Sequence, residues 1–429
     1  MPIRFAIGRP ARVVVAILAG LVAIDARGET APLTLEQALE RAVAGNPALR
    51  GSEYLLQASR ARELRAAQSP AYTLGAEFED FAGSGSLSGT DALQTTLRLS
   101  GVLELGGRRD ARIAFAQSET DAAAIEQRAQ RLDLLADVAS RFTDVAARQE
   151  VLSVAEEADR LAAQTVEQVR ERIRIGAAPD YELWRAEIQV SRAAIEREHA
   201  EHELASARVR LTATWGATEP EFERVSAKLF ELPGTHSFEQ LKAQVDGSPA
   251  IQRMLSRERL AAARMQLAEI TASREIGWSG GVRHIESLGD TALVASVSVP
   301  FGARRRAEPA IREAEALRSH AALEIETTRV AAMATLYELY QELLHARTEA
   351  DALRTTVRPK SEGVLRSTER AFQLGRTTFL ELANAQKQLL EVGAETVAAA
   401  ARYHGLLIDI ERLTGAAMAA DVGITGESP

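Results

Sequence analysis

The sequence, 429 residues long, has no cysteine, and only 5% of it is aromatic. Without cysteine there is no disulfide, no thiol nucleophile, no thiolate metal site and no lipid attachment through an N-terminal cysteine. Long apolar runs are also missing. The longest, Val13–Ile24, spans 12 residues, short of the ~20 that a membrane helix needs. It follows Arg4, Arg9 and Arg12 and precedes Ala26-Arg27-Gly28, so residues 1–28 read as a secretory signal cleaved after Gly28. Positive charge is scarce: 51 Lys and Arg stand against 60 Asp and Glu. Removing residues 1–28, with four arginines and Asp25, leaves 47 against 59 and a net charge of −12. That balance excludes a broad nucleic-acid footprint. Catalytic signatures are absent too, with no nucleophile–base motif, metal triad or cofactor fingerprint. Leu105-Gly106-Gly107-Arg108 lacks the Gly-Lys-Ser/Thr of a phosphate loop. The expectation is a chain that is not an enzyme and holds no cofactor.

What is present repeats itself. Thr34-Leu35-Glu36-Gln37 returns as Ser237-Phe238-Glu239-Gln240, 203 positions later, and both are capping boxes. Asn46-Pro47 returns as Ser248-Pro249 at 202, Ile175-Gly176 as Leu374-Gly375 at 199, and Arg210-Leu211-Thr212 as Arg412-Leu413-Thr414 at 202. A constant order at a near-constant offset argues for two copies of one unit.

Within each copy the hydrophobic period changes twice. Leu35–Ser69 reads as helix and stops at Pro70. Leu74, Ala76 and Phe78, then Leu97, Leu99 and Leu103, alternate with polar residues on either side of the tip Gly83-Ser84-Gly85-Ser86. That pattern is a hairpin with one apolar face, over about 71–105. Its second copy covers about 275–301. After each hairpin comes a long helix. Arg108–Ile175 holds 68 residues with neither proline nor glycine, which would extend ~100 Å. Leu132, Val138, Phe142, Val145 and Leu152 recur at coiled-coil spacing. A return helix, Tyr181–Trp215, and the opening helix together match its length. The second half repeats the plan with helices over 238–274, 304–374 and 378–414, Pro309 and Pro359 being candidate kinks.

The predicted organisation is therefore a signal at 1–28, repeat 1 at 29–216, a connector at 217–237, repeat 2 at 238–415 and a tail at 416–429. The fold class is mixed but mainly α, an antiparallel coiled coil joined to β-hairpins. Four strands with an apolar face cannot close on themselves, and an open sheet of that kind would aggregate. A closed barrel with lipid outside and a polar lumen removes the edges. Two chains would reach eight strands and three would reach twelve.

These residues resemble the TolC-like outer-membrane efflux proteins, from about Leu33 to Gly415. Glu104-Leu105-Gly106-Gly107-Arg108-Arg109, at the passage from strand to long helix, resembles the heavy-metal (CzcC-like) subgroup; Phe301-Gly302-Ala303-Arg304-Arg305 is a more degenerate copy. The resemblance implies a homotrimer. A 12-stranded transmembrane β-barrel, four strands per chain, would sit in the outer membrane and continue as a helical barrel through the periplasm. It implies a periplasmic adaptor, an inner-membrane RND transporter reached through that adaptor, and outer-membrane lipid as partners. The tips Ile175–Asp180 and Leu374–Thr378, with Ile175, Gly176, Leu374, Gly375 and Arg376, would face the adaptor, and connector 217–237 would wrap the middle with the C-terminal segment. Family members place acidic residues six and nine positions after the second tip glycine; here these are Glu381 and Asn384, with Glu182 and Arg185 at the first-half positions. Three Glu381 side chains would form a ring that attracts cations, and Arg185 is a candidate partner for Glu381. Divalent heavy metals are the expected cargo, with drugs or other small molecules as the alternative.

Two further features carry competing readings. His199 and His202 lie three apart on one helix face, a possible metal pair, but Glu196, Arg197 and Glu198 surround them as on a solvated face, and two ligands do not close a site. Tyr72 and Trp278 are candidate interfacial anchors, burial at a strand–helix junction being the alternative for Trp278. A soluble periplasmic coiled-coil scaffold would explain the signal and the helices but not the two one-sided hairpins.

Overall fold

The computed structural model describes residues 31–271 and 275–415; the expected signal segment and tail lie outside them. Capping decides where the helices begin. At Thr34 the side chain accepts the Gln37 amide while Gln37 Oε1 accepts the Thr34 amide, and α1 (Leu35–Gly45) starts there. Asn46 then ends α1 and starts α2 (Pro47–Ala66): its extended backbone stops one helix, and its Oδ1 accepts the Ala48 and Leu49 amides of the next. The single opening helix expected over 35–69 is thus two, because Pro47 fits the first turn of a helix but not its interior.

After α2 come β1 (Thr73–Glu79) and β2 (Gln94–Glu104). Gly107, at φ 78°, turns the chain into α3 (Arg108–Arg174), 67 residues long and hence ~100 Å. Next is α4 (Tyr181–Thr212), followed across the connector by α5 (Phe238–Gln244) and α6 (Pro249–Thr271). A second hairpin, β3 (Glu275–Ile285) and β4 (Asp290–Ser298), leads through Gly302 at φ 75° into α7 (Ala303–Ala352). The chain ends in α8 (Arg358–Gln373) and α9 (Phe379–Thr414). Helix, hairpin, long helix and return helix thus occur in the same order in both halves.

The second long helix is not continuous as expected. Gly107 to Gly176 spans 69 positions, whereas Gly302 to Gly375 spans 73. Four extra residues advance the phase of a seven-residue pattern, and a π-helical turn at Leu353–Val357 interrupts the α-helix. Pro359 follows at once. Its ring would collide with the Thr355 carbonyl in a regular α-helix, and the wider turn relieves that contact. Pro309, by contrast, sits inside α7 without ending it.

The core is a chain of separate clusters rather than one centre. Val138, Phe142 and Val145 of α3 pack with Leu39, Leu204, Leu211 and Val225; Leu152 packs against the same cluster. Leu336 and Leu343 of α7 pack with Tyr403 and Ile410 of α9. Near the helix tips, Val169 and Ala186 meet Phe372 and Leu382. Many buried positions are alanine, which lets these long helices approach closely.

The four strands form one antiparallel sheet in the order β1-β2-β3-β4. Register sorts its two faces. Leu74 pairs with Leu99, Leu97 with Val282, and Val282 with Leu293, so these lie on one face. Glu77 pairs with Thr96, Thr96 with Arg283, and Ser279 with Ser296 on the other. Tyr72 and Trp278 meet edge to face, with ring centroids 6.1 Å apart, over Gly101.

Candidate functional site

The two helix hairpins end in the same way. Beyond α3, the Gly176 amide donates to Ile173 O and the Ala177 amide to Arg172 O; beyond α8, the Gly375 amide donates to Phe372 O and the Arg376 amide to Ala371 O. This is a double C-cap that needs a left-handed residue, and both glycines supply it, at φ 77° and 71°. The turns hold Ile175 (62% exposed) and Leu374 (60% exposed) out in solvent. Two apolar side chains displayed by rigid caps are suited to contact another protein.

The candidate entrance residues have unequal surroundings. Glu381 lies in the first turn of α9, where its carboxylate accepts from the Thr378 amide and bonds Thr377, while its own amide donates to Thr378 Oγ1. Asn384 sits one turn later on the same exposed face, opposite Leu382, Ala383 and Ala385. Glu182 opens α4 with Oε2 buried and without a hydrogen-bond partner. Arg185 lies over the ring of Tyr181 at 5.2 Å. Among the described residues no ion pair joins Arg185 to Glu381 within the chain. The cap occupies one and a tyrosine one turn away occupies the other. Beside the tip, the Arg174 guanidinium hydrogen-bonds Glu171 and holds its carboxyl below the usual range.

Two contacts here were not anticipated. Gln386, buried on the inner face of α9, donates to Thr165 Oγ1 of α3 at 2.9 Å. Arg172 packs its guanidinium over Phe372 at 4.2 Å, joining the α3–α4 and α8–α9 hairpins. Gln386 was findable as an amide that helical spacing puts on the face of Leu382 and Ala383, unlike Asn384; the stacking of Arg172 depends on packing that no local pattern records.

His199 and His202 are one turn apart but have different neighbours. His199 lines a groove of about 700 Å³ between α3, α4 and α9 together with Glu203, which pairs with Arg148. His202 faces Glu198 at 3.6 Å. Among the described residues no group of three or more His, Asp or Glu could hold a metal ion, so the pair remains without the further ligands a site requires.

Midway along the helices the connector is held by side chains. Gln149 of α3 bonds both the amide and the carbonyl of Val225. Tyr403 donates to Pro233 O, His404 Nε2 lies 3.0 Å from Leu229 O, and Arg354 donates to Phe230 O. Burial pushes the His404 imidazole below its ordinary value and the Tyr403 phenol above it. The connector thus lies against α3 and α9; the C-terminal segment expected beside it is outside the described residues.

Over 92% of its length the chain is 27% identical to the cobalt-zinc-cadmium resistance protein CzcC of Cupriavidus metallidurans, covering 93% of that protein. Residues 38–217 match the outer membrane efflux protein family. The chain is also 26% identical, over 58% of its length and 57% of the relative's, to the nickel-cobalt-cadmium resistance protein NccC of Alcaligenes xylosoxydans xylosoxydans. Its fold matches that of the outer-membrane channel OprN with a TM-score of 0.76, covering 89% of this chain and 90% of the other at 17% identity.

Proposed function

We propose that this chain is the outer-membrane duct of a tripartite system and exports divalent heavy-metal cations. Three copies would each give four strands to a 12-stranded barrel, and their helices would continue it as a tunnel through the periplasm. The observation that carries this reading is the sheet. Among the described residues both its outer strands, β1 and β4, have an unpaired edge, and its apolar face is bare, with Leu293 87% and Leu74 70% exposed. Leaving such side chains in water forfeits about 1.5–3 kcal/mol each, whereas lipid around a closed barrel covers them and pairs both edges. No described helix is long and apolar enough to cross a membrane, so the strands are the means of insertion.

The cargo assignment draws on the metal-resistance relatives and on the acidic mature chain, whose net charge suits cations. The signal at 1–28, the boundaries at 216, 237 and 415, and the duplication of one ancestral unit belong to the same reading. So do a periplasmic adaptor at Ile175, Gly176, Leu374, Gly375 and Arg376, an inner-membrane RND transporter beyond it, and outer-membrane lipid. Glu182, Arg185, Glu381 and Asn384 would line the entrance. Neither nucleic acid nor lipid attachment through cysteine has a place in it.

The deciding measurement is the mass of protein extracted from outer membranes, by light scattering with the detergent subtracted. Three chains per particle, soluble only in detergent, are expected. A detergent-independent monomer in the periplasmic fraction would sink the duct and leave a scaffold. Loss of cobalt, zinc and cadmium tolerance on deletion, with drug tolerance unchanged, would support the cargo.

A further inference from the structure

The polar face of the sheet carries two carboxylates and two guanidinium groups where the strands run toward the 80–93 loop, and none of them stands alone. Arg283 projects from β3, crosses β2 and reaches β1. Its Nε donates to Thr96 Oγ1 at 3.0 Å, its Nη1 to Gln94 Oε1 at 3.2 Å, and its Nη2 to Glu79 Oε2 at 3.0 Å. Arg98 on β2 donates to Glu77 on β1, also at 3.0 Å. Glu77 and Glu79 are two residues apart on one strand, so they share a face about 7 Å apart.

We propose that Arg283 and Arg98 determine the ionic selectivity of the barrel, by neutralising Glu79 and Glu77 so that a divalent cation in transit is not captured at the outer end of the duct. The inference rests on the duct reading, in which this face lines the lumen. Unpaired, the two glutamates of each chain would make a ring of carboxylates, a hard-oxygen environment in which divalent cations bind. Conduction demands binding weak enough for release. Holding the strands together does not require these side chains, because the backbone ladder already pairs β1 with β2 and β2 with β3 in continuous register. The four-group arrangement has a use only if charge on this face matters.

The test uses the full-length protein in planar bilayers under a KCl gradient, reading reversal potential and the block caused by added Zn²⁺. Arg283→Gln should raise the cation-over-anion permeability ratio roughly fivefold, the scale one unit charge supplies at about 4 Å in water, and should make the current sensitive to Zn²⁺. Glu79→Gln should move the ratio the opposite way. The double variant should return close to the parent, which a merely structural role would not produce. Should Arg283→Gln fail to assemble, the shift of Glu79→Gln toward anions decides alone. Single variants that leave the reversal potential unmoved, or move it in the same direction, overturn the inference while leaving the duct intact. A parent protein that conducts no ions overturns both.

Discussion

Glu104 and Glu275 stand directly opposite each other on β2 and β3, two like charges where the sheet brings side chains within about 5 Å. The repulsion is cancelled by two arginines of α3: Arg112 pairs with Glu104 and Arg108 with Glu275. Arg112 also donates to the carbonyls of Ala66 and Gln68, and Arg109 to that of Ala67, which caps the loose end of α2. The Glu104-Leu105-Gly106-Gly107-Arg108-Arg109 stretch therefore fastens the hairpin to the helices on both sides. In the second copy Arg306 returns to the Phe301 carbonyl.

Replacing Arg112 should expose that design. Arg112→Ala leaves Glu104 largely enclosed and unpaired opposite Glu275 and frees two helix-end carbonyls. The expected loss is about 2–3 kcal/mol, since removing one partner of an enclosed pair strands the other. Thermal dissociation of the assembly in detergent would measure it. Glu104→Gln combined with Arg112→Gln should recover part of the loss. A double variant no better than Arg112→Ala would mean that the carbonyl bonds, not the pair, matter.

Gly101 is required by its neighbours. A Cβ there would lie 2.9 Å from the Tyr72 ring and 3.1 Å from Trp278 Nε1. Gly101→Val should therefore force the two rings apart, at about 1–3 kcal/mol, and lower the yield of assembled protein. Gly280, with open space around it, should accept alanine without that effect. Heat-modified mobility on gels compares the two directly.

His404 predicts a pH dependence. Burial depresses its pKa in the folded chain, while the unfolded chain titrates near 6.5. Above that pH both states are neutral and stability is full. As pH falls below it the unfolded state takes the proton first, and stability drops until the folded pKa is passed. His404→Gln keeps a donor for the Leu229 carbonyl but does not titrate. The parent should lose thermal stability between pH 7 and 5, and His404→Gln should lose less; parallel profiles would assign the loss to other groups.

Glu381 has a capping role and a proposed entrance role that one substitution separates. Glutamine also serves in a capping box, so Glu381→Gln should leave thermal stability unchanged. If the threefold ring exists, the same variant lowers cation conductance, and Asn384→Asp raises it. Equal conductance in all three proteins would confine Glu381 to the cap.

Local physics made most of the architecture legible. Thr34 and Ser237 announce helix starts because a hydroxyl three residues before an amide satisfies free backbone groups. Gly176 and Gly375 mark tips because a left-handed turn excludes most side chains. Alternation along Leu97, Leu99 and Leu103 specifies a one-sided strand since its period is two. Other features escaped. Leu35–Ser69 reads as one helix, and only the extended Asn46 shows that α1 and α2 are separate. Four extra residues in the second long helix can be counted and Pro359 marks a kink, but only the structure shows that the break takes the form of a π turn at Leu353–Val357.

By itself, then, the sequence determined the secondary elements, their doubling and the apolar and polar faces of the strands, all of which follow from interactions within a few residues. Tertiary structure decided which distant groups meet: Arg283 with Glu79 across an intervening strand, Gln386 with Thr165, Arg172 with Phe372, and Glu381 with its own cap instead of Arg185. Those pairings depend on register and helix rotation, which are set by the summed packing of elements far apart in the chain and have no signature at either residue alone.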